Sequence, residues 1–274
     1  MVILSNDTHQ RTLGAFSIWA IGVGLVISGE SFGWNLGWAI MGPLGFMYPV
    51  LLVTIMYYSL VVCNIELACT YPDAEGPHTY VANAFGHGWG KFIAVATLVE
   101  FLFATPAIAD ALGEYLNFLA PELINKKLVA IAFVLFFCIV NLFKINISIL
   151  VTIIITFFAI TELLIYFYSI SQGNNFHSSN LIYSGYDKYD FGSFIQSIPF
   201  AIWLFLGIEG INLVSKDIKA QTFRKSISKG YKSSFWTLFA LIVIILVVAS
   251  ASVTWSATSW AAMVGENNSH PLPF

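Results

Sequence analysis

Two glutamates lie where apolar segments are interrupted by small residues. Glu30 falls in Ile27-Ser28-Gly29-Glu30-Ser31-Phe32-Gly33-Trp34-Asn35, and Glu209 in Trp203-Leu204-Phe205-Leu206-Gly207-Ile208-Glu209-Gly210. A carboxylate is costly in hydrocarbon, so its first reading there is a site for a cation or a proton. Unwound backbone at that depth is tolerated only where protein or a wet cavity satisfies its polar groups. Paired interrupted segments in the two halves of a membrane chain point to a midplane binding site of the transporter type. The candidate substrate contacts are therefore Ser28, Gly29, Glu30, Gly207, Ile208, Glu209 and Gly210. Trp203, one turn before the second break, offers a cation–π face, although an aromatic in an apolar span is usually packing. Either glutamate could instead cap a helix or join a buried ionic network.

Glu100 joins these candidates. It sits mid-span with Phe103, Ala104 and Ala107 near it on one face, a position suited to contact with substrate or coupling ion. The competing reading is a structural, hydrogen-bonded carboxyl. Asp110, after Pro106, suits an outer vestibule, and Glu162 in the fifth span suits a proton relay. Glu30, Glu100, Asp110, Glu162 and Glu209 are thus the candidates for proton or ion coupling, while Glu66 ends a span and reads as interfacial. His9, His78, His87, His177 and His270 are scattered without ligand spacing, so no metal site is suggested. No nucleophile elbow, metal motif or phosphate loop is present, and the acidic residues are dispersed over several helices. Neither an enzyme nor a bound cofactor is expected.

The elements that must position these groups follow from composition. The 274 residues are 58% hydrophobic and 16% aromatic, with 10% charged residues and a mean hydropathy of +0.78. A soluble domain carries about 25% charged residues, so the chain reads as an all-α integral membrane protein. At about 20 apolar residues per crossing, seven spans are expected. They cover 13–40 (broken near 28–30), 44–68, 89–116, 127–143, 147–170, 193–215 (broken near 207–210) and 233–256. Cys63, Cys69 and Cys138 fall in or beside these spans and read as small buried hydrophobes. Residues 1–12 are polar, and the apolar run after them has no signal-peptide cleavage pattern.

Lys and Arg set the expected orientation. With the N-terminus inside, Arg11, Lys91, Lys144, Lys216, Lys219, Arg224, Lys225, Lys229 and Lys232 are cytoplasmic, against Lys126, Lys127 and Lys188 outside. Six of the nine inner charges fall in the loop 215–232. That loop reads as a topology anchor touching anionic lipid rather than a nucleic-acid patch. Trp34, Trp38, Tyr183, Tyr186, Tyr189, Trp255 and Trp260 are expected to form an interfacial aromatic belt outside.

The first break resembles the first-helix motif of ethanolamine permeases, within the amino acid–polyamine–organocation transporter superfamily. Three more stretches are similar. Pro72-Asp73-Ala74-Glu75-Gly76-Pro77, with Tyr80 and Ala84-Phe85-Gly86, resembles the loop after the second helix. Residues 99–110 resemble the third helix and residues 200–210 the sixth. Glu75 and His78 depart from a glycine-rich and then aromatic pattern. The resemblance implies about twelve spans, the first ten forming two inverted five-helix repeats with discontinuous helices 1 and 6. On that plan residues 1–12 are a cytoplasmic N-terminus, 13–170 the first repeat and 171–192 an extracytoplasmic loop. Residues 193–256 are the first two helices of the second repeat, and 257–274 an extracytoplasmic tail ending where the next span would begin.

The resemblance further implies a secondary transporter of the inner membrane that imports ethanolamine or a similar small ammonium compound by alternating access, coupled to H+ or Na+. In relatives that carry amino acids, half-helix N-termini bind the substrate carboxylate. Glutamates at those ends bias the site towards a cation lacking a carboxylate. The shortness of the chain implies a C-terminally truncated transporter, or half of one completed by a second chain. An amino-acid permease is the nearest alternative, and a seven-span receptor or sensor the alternative of a different class.

Overall fold

The computed structural model describes residues 13–27, 31, 33–120, 125–143, 145–172, 176–177, 180 and 189–252. Ser28, Gly29, Glu30, Tyr183, Tyr186, Lys188, Trp255 and Trp260 lie outside the described residues. Among the described residues, eight α-helices carry the fold: α1 (Ala15–Val26), α2 (Trp34–Thr70), α3 (Pro77–Phe85), α4 (His87–Leu119), α5 (Lys126–Asn141), α6 (Ile145–Gln172), α7 (Phe191–Trp203) and α8 (Phe223–Ser252). Two 3-10 segments, Ile208–Asp217 and Ala220–Thr222, lie between α7 and α8.

Among the described residues, five segments are long and apolar enough to cross a membrane: Trp34–Thr70, His87–Asn117, Ile147–Gln172, Phe191–Asp217 and Ala220–Ser252. Two of the seven expected spans fall short of that length among the described residues. At about 1.5 Å per residue, the 12 residues of α1 give roughly 18 Å, a half-helix rather than a crossing. Helix α2 runs through the expected loop between the first two spans, with a sharp kink where Gly42 leaves helical geometry before Pro43. Helix α5 has only 16 residues, roughly 24 Å.

Helix α8 begins ten residues before the expected span, so much of the expected loop 215–232 is helical. Ser226, Ile227, Gly230, Tyr231 and Ser234 are buried at helical spacing, which draws the basic first turns into the helix. Two further expectations are corrected. Trp34 and Trp38 are fully buried and meet edge to face at 4.6 Å, so they belong to the core and not to an interfacial belt. Tyr189 is exposed, as a belt residue would be, and packs on Tyr48. Cys63 and Cys138 are exposed and Cys69 is half-buried, all three as free thiols, because they lie on outward faces of their helices.

The buried core is built from α1, α2, α7, α8 and the longer 3-10 segment. Its main pairings are crossed: α1 lies along α8, and α7 along α2. Small residues allow the close approach. A Cβ on Gly22 would stand 2.5 Å from Ser234 Oγ, and one on Gly230 2.5 Å from Ile18 Cβ. Hydroxyls seal the same seams: Ser234 donates to the Trp19 carbonyl at 3.1 Å, and Thr156 on α6 to that of Ala20 at 3.1 Å. Helices α4 and α5 form an antiparallel pair with largely exposed apolar faces, closed at one end by the Lys126–Glu114 ion pair.

Candidate functional site

The described residues that flank the first break, Leu25 and Gly33, lie against the second break. Helix α7 ends at Trp203, and the chain turns through Leu204 and Phe205 before the 3-10 segment starts at Ile208. Gly207 makes this turn with φ +99°, a left-handed conformation open to glycine at little cost. A Cβ there would lie 3.2 Å from the Leu25 carbonyl oxygen, near the end of α1. A Cβ on Gly210 would meet Leu25 Cδ1 at 2.8 Å and Phe101 Cζ at 3.5 Å. On the other side of the breaks, a Cβ on Gly33 (φ +100°) would meet Trp203 Cδ1 at 2.8 Å. The end of each helical half thus abuts the start of the other segment's second half. The Trp203 indole therefore lies close against the Gly33 backbone.

Glu209 sits in the first turn of the 3-10 segment. Its Oε1 accepts from the Gly207 N–H at 3.2 Å, so one oxygen does cap the break. Its Oε2 is buried and has no hydrogen-bond partner among the described residues, and the same holds for Glu100 Oε1. The two carboxyl groups lie within hydrogen-bonding reach of one another. Among the described residues no lysine, arginine or histidine forms an ion pair with either. Asn212 follows one 3-10 turn later, fully buried, with neither Oδ1 nor Nδ2 partnered among the described residues. Residues three apart eclipse in a 3-10 helix, so Glu209 and Asn212 share a face, roughly 6 Å apart along the axis.

The sequence reading did not single out the aromatic groups beside this pair. The Tyr231 hydroxyl donates to the Glu209 carbonyl at 3.5 Å. Phe205 stacks between Tyr57 (5.4 Å) and Phe235 (5.4 Å). The buried stripe Ile227, Gly230, Tyr231, Ser234 carried the signal for Tyr231, because it is the one polar aromatic on an otherwise small and apolar face. Ile208 is fully buried in the core.

The other acidic candidates stand apart from Glu209. Asp110 is exposed on α4 within electrostatic reach of Lys126. Glu162 is exposed on α6 beside Tyr115, whose hydroxyl donates to the Ser31 carbonyl at 2.8 Å. Glu162 therefore approaches the first break through Tyr115 and not the second.

The basic end beyond the 3-10 segment is stitched shut. Leu13 N–H donates to the Asp217 carbonyl (3.0 Å), and Lys219 N–H to that of Leu13 (3.1 Å). Ser215 Oγ donates to the Ala74 carbonyl at 2.8 Å, and Lys216 Nζ to Glu75 Oε1 at 2.9 Å. The Lys216 hydrogen bond holds the exposed Glu75 carboxyl below its ordinary range. Glu75, a departure from the glycine-rich pattern, thus has a defined task in the loop.

Residues 13–268 match the family model for amino acid permeases. The chain belongs to the amino acid permease family. It is also similar to an uncharacterized transporter of Rhizobium meliloti (strain 1021), 20% identical over 251 residues. That alignment covers 89% of this chain and 54% of the relative, so the chain spans about half the length of the curated relative it matches. The permease is a multi-pass membrane protein of a transporter family, helical over the described residues, with the apolar segment Phe191–Asp217 interrupted at Gly207.

Proposed function

We propose that the permease is a secondary transporter for a small ammonium compound lacking a carboxylate, with ethanolamine the best fit. The observation that carries this reading is the approach of the Glu100 carboxyl, on α4, to that of Glu209 at the second break, each with one buried oxygen and no ion pair among the described residues. A buried carboxylate without a cation is strongly unfavourable, so the pair calls for a mobile one. The ammonium of ethanolamine would lie between the two carboxyls, and its hydroxyl would reach the amide of Asn212. Two carbons and a hydrogen bond at each end bridge that gap. Glu30, Ser28 and Gly29 would close the site from the first break. A zwitterion would bring its own carboxylate against the pair, costing roughly 4 kcal/mol at 4 Å and an effective dielectric of about 20.

Coupling fits the same pair. A proton shared by the two carboxyls leaves one negative charge in the empty site, and an arriving ammonium offsets it; Na+ is the alternative coupling ion. The crossed packing of α1 on α8 and of α7 on α2 supports the inverted-repeat reading, since each broken segment lies on the second helix of the other repeat. The charge bias of the loops supports a cytoplasmic N-terminus. An amino-acid substrate is the second reading, favoured by the family to which the chain belongs.

Whole cells expressing the native protein distinguish the two. Uptake of labelled ethanolamine should be competed by short amino alcohols, less well by ethylamine, which lacks the hydroxyl, and not by glycine or alanine. Competition by glycine as strong as that by ethanolamine would establish the amino-acid reading instead.

A further inference from the structure

A cavity of about 730 Å³ opens between the last turns of α2 and the first turns of α8, away from the carboxyl pair. Arg224, Lys225, Lys229 and Lys232 line it, against a single carboxylate, Glu66. Arg224 stands 3.6 Å from Glu66, and both side chains are largely exposed, so the pair consumes little of the positive charge. Lys225, Lys229, Lys232 and Trp236 fall four, three and four residues apart, forming one exposed stripe on α8 opposite its buried face. The stripe passes from charge to apolar surface. Trp236 closes the cavity and packs on Tyr58 of α2 at 5.7 Å and on Phe239 at 5.7 Å. Beyond it Ile55 and Leu51 on α2, and Val243 and Val247 on α8, are exposed along the spans.

We propose that this groove is a binding site for one anionic phospholipid of the surrounding bilayer. The phosphate would sit among the three lysines and Arg224. The Ser228 and Ser233 hydroxyls, which also line the cavity, would meet the glycerol region. One acyl chain would run past Trp236 and Tyr58 along the exposed apolar track. The amphipathic continuity selects a lipid over a soluble polyanion, because phosphates alone leave the aromatic and aliphatic half of the groove unused. A tryptophan at the junction of headgroup and hydrocarbon suits the interfacial preference of indole. The site differs from a diffuse surface attraction in that residues of two helices, α2 and α8, line it.

Native mass spectrometry of the full chain, with dioleoyl phosphatidylglycerol or dioleoyl phosphatidylcholine, tests this. One phosphatidylglycerol should be retained with roughly tenfold preference over phosphatidylcholine. The exposed triple variant K225Q/K229Q/K232Q should lose that preference, whereas K91Q/K127Q/K219Q, with the same charge change elsewhere, should keep it. Trp236→Ala should weaken retention of the lipid, and millimolar inorganic phosphate should not displace it. Equal retention of both lipids, equal loss in both triple variants, or displacement by inorganic phosphate would each overturn the proposal.

Discussion

Glu209→Gln is expected to reduce ethanolamine binding at least tenfold while leaving expression and fold intact. Glutamine keeps the volume and an oxygen that can still accept from the Gly207 N–H, 3.2 Å from Oε1 in the native protein. The turn should therefore survive. What is lost is the charge on the buried Oε2, which has no hydrogen-bond partner among the described residues. Removing one partner from a buried charge pair costs about 2–5 kcal/mol, and about 1.4 kcal/mol is tenfold in affinity. Glu162→Gln, on the exposed face of α6, should change binding much less. A Glu209→Gln protein with native affinity would assign Glu209 to capping alone.

Gly207→Val should destabilise the fold by about 1–3 kcal/mol, the cost of holding a side-chain-bearing residue in a rarely populated backbone region. The native φ is +99°, and a β-branched residue is a poor occupant there. The added Cβ would also press on the Leu25 carbonyl oxygen at 3.2 Å, so the apposed end of α1 must move with it. Thermal unfolding in detergent or nanodiscs reads the loss. Gly14→Ala serves as the reference, because nothing lies within 4 Å of its Cβ position. An unchanged midpoint for Gly207→Val would mean that the turn is not held as described.

Much of this site was legible in the sequence because lipid enforces strict rules. A glycine and a glutamate within three residues of an apolar run must break the helix and must face protein, and Gly207 and Glu209 do both. The crossed pairing of α1 with α8 was not legible, since Gly22 and Gly230 announce a close contact without naming the partner. The start of α8 was hidden by its own lysines. Charge at Arg224 and Lys225 looks like a loop, and only the buried stripe through Ser226, Gly230 and Ser234 shows a helix reaching past the span. Trp34 and Trp38 were misplaced because an indole suits an interface and a core equally well on composition. Their burial depends on the kink at Gly42, which folds the short first arm of α2 into the bundle. Asn212 carried no signal of its own. Its importance comes from standing one 3-10 turn beyond Glu209, a register that an α-helical reading of the segment would not give.

A double-mutant cycle on ethanolamine binding, with Glu100→Gln, Glu209→Gln and the two combined, tests the central claim most directly. If both carboxyls hold one ammonium, the single substitutions should each lower affinity strongly, and the double variant should lose far less than the product of the two factors. Full additivity, or a native affinity in Glu100→Gln, would contradict a shared cation between the two carboxyls.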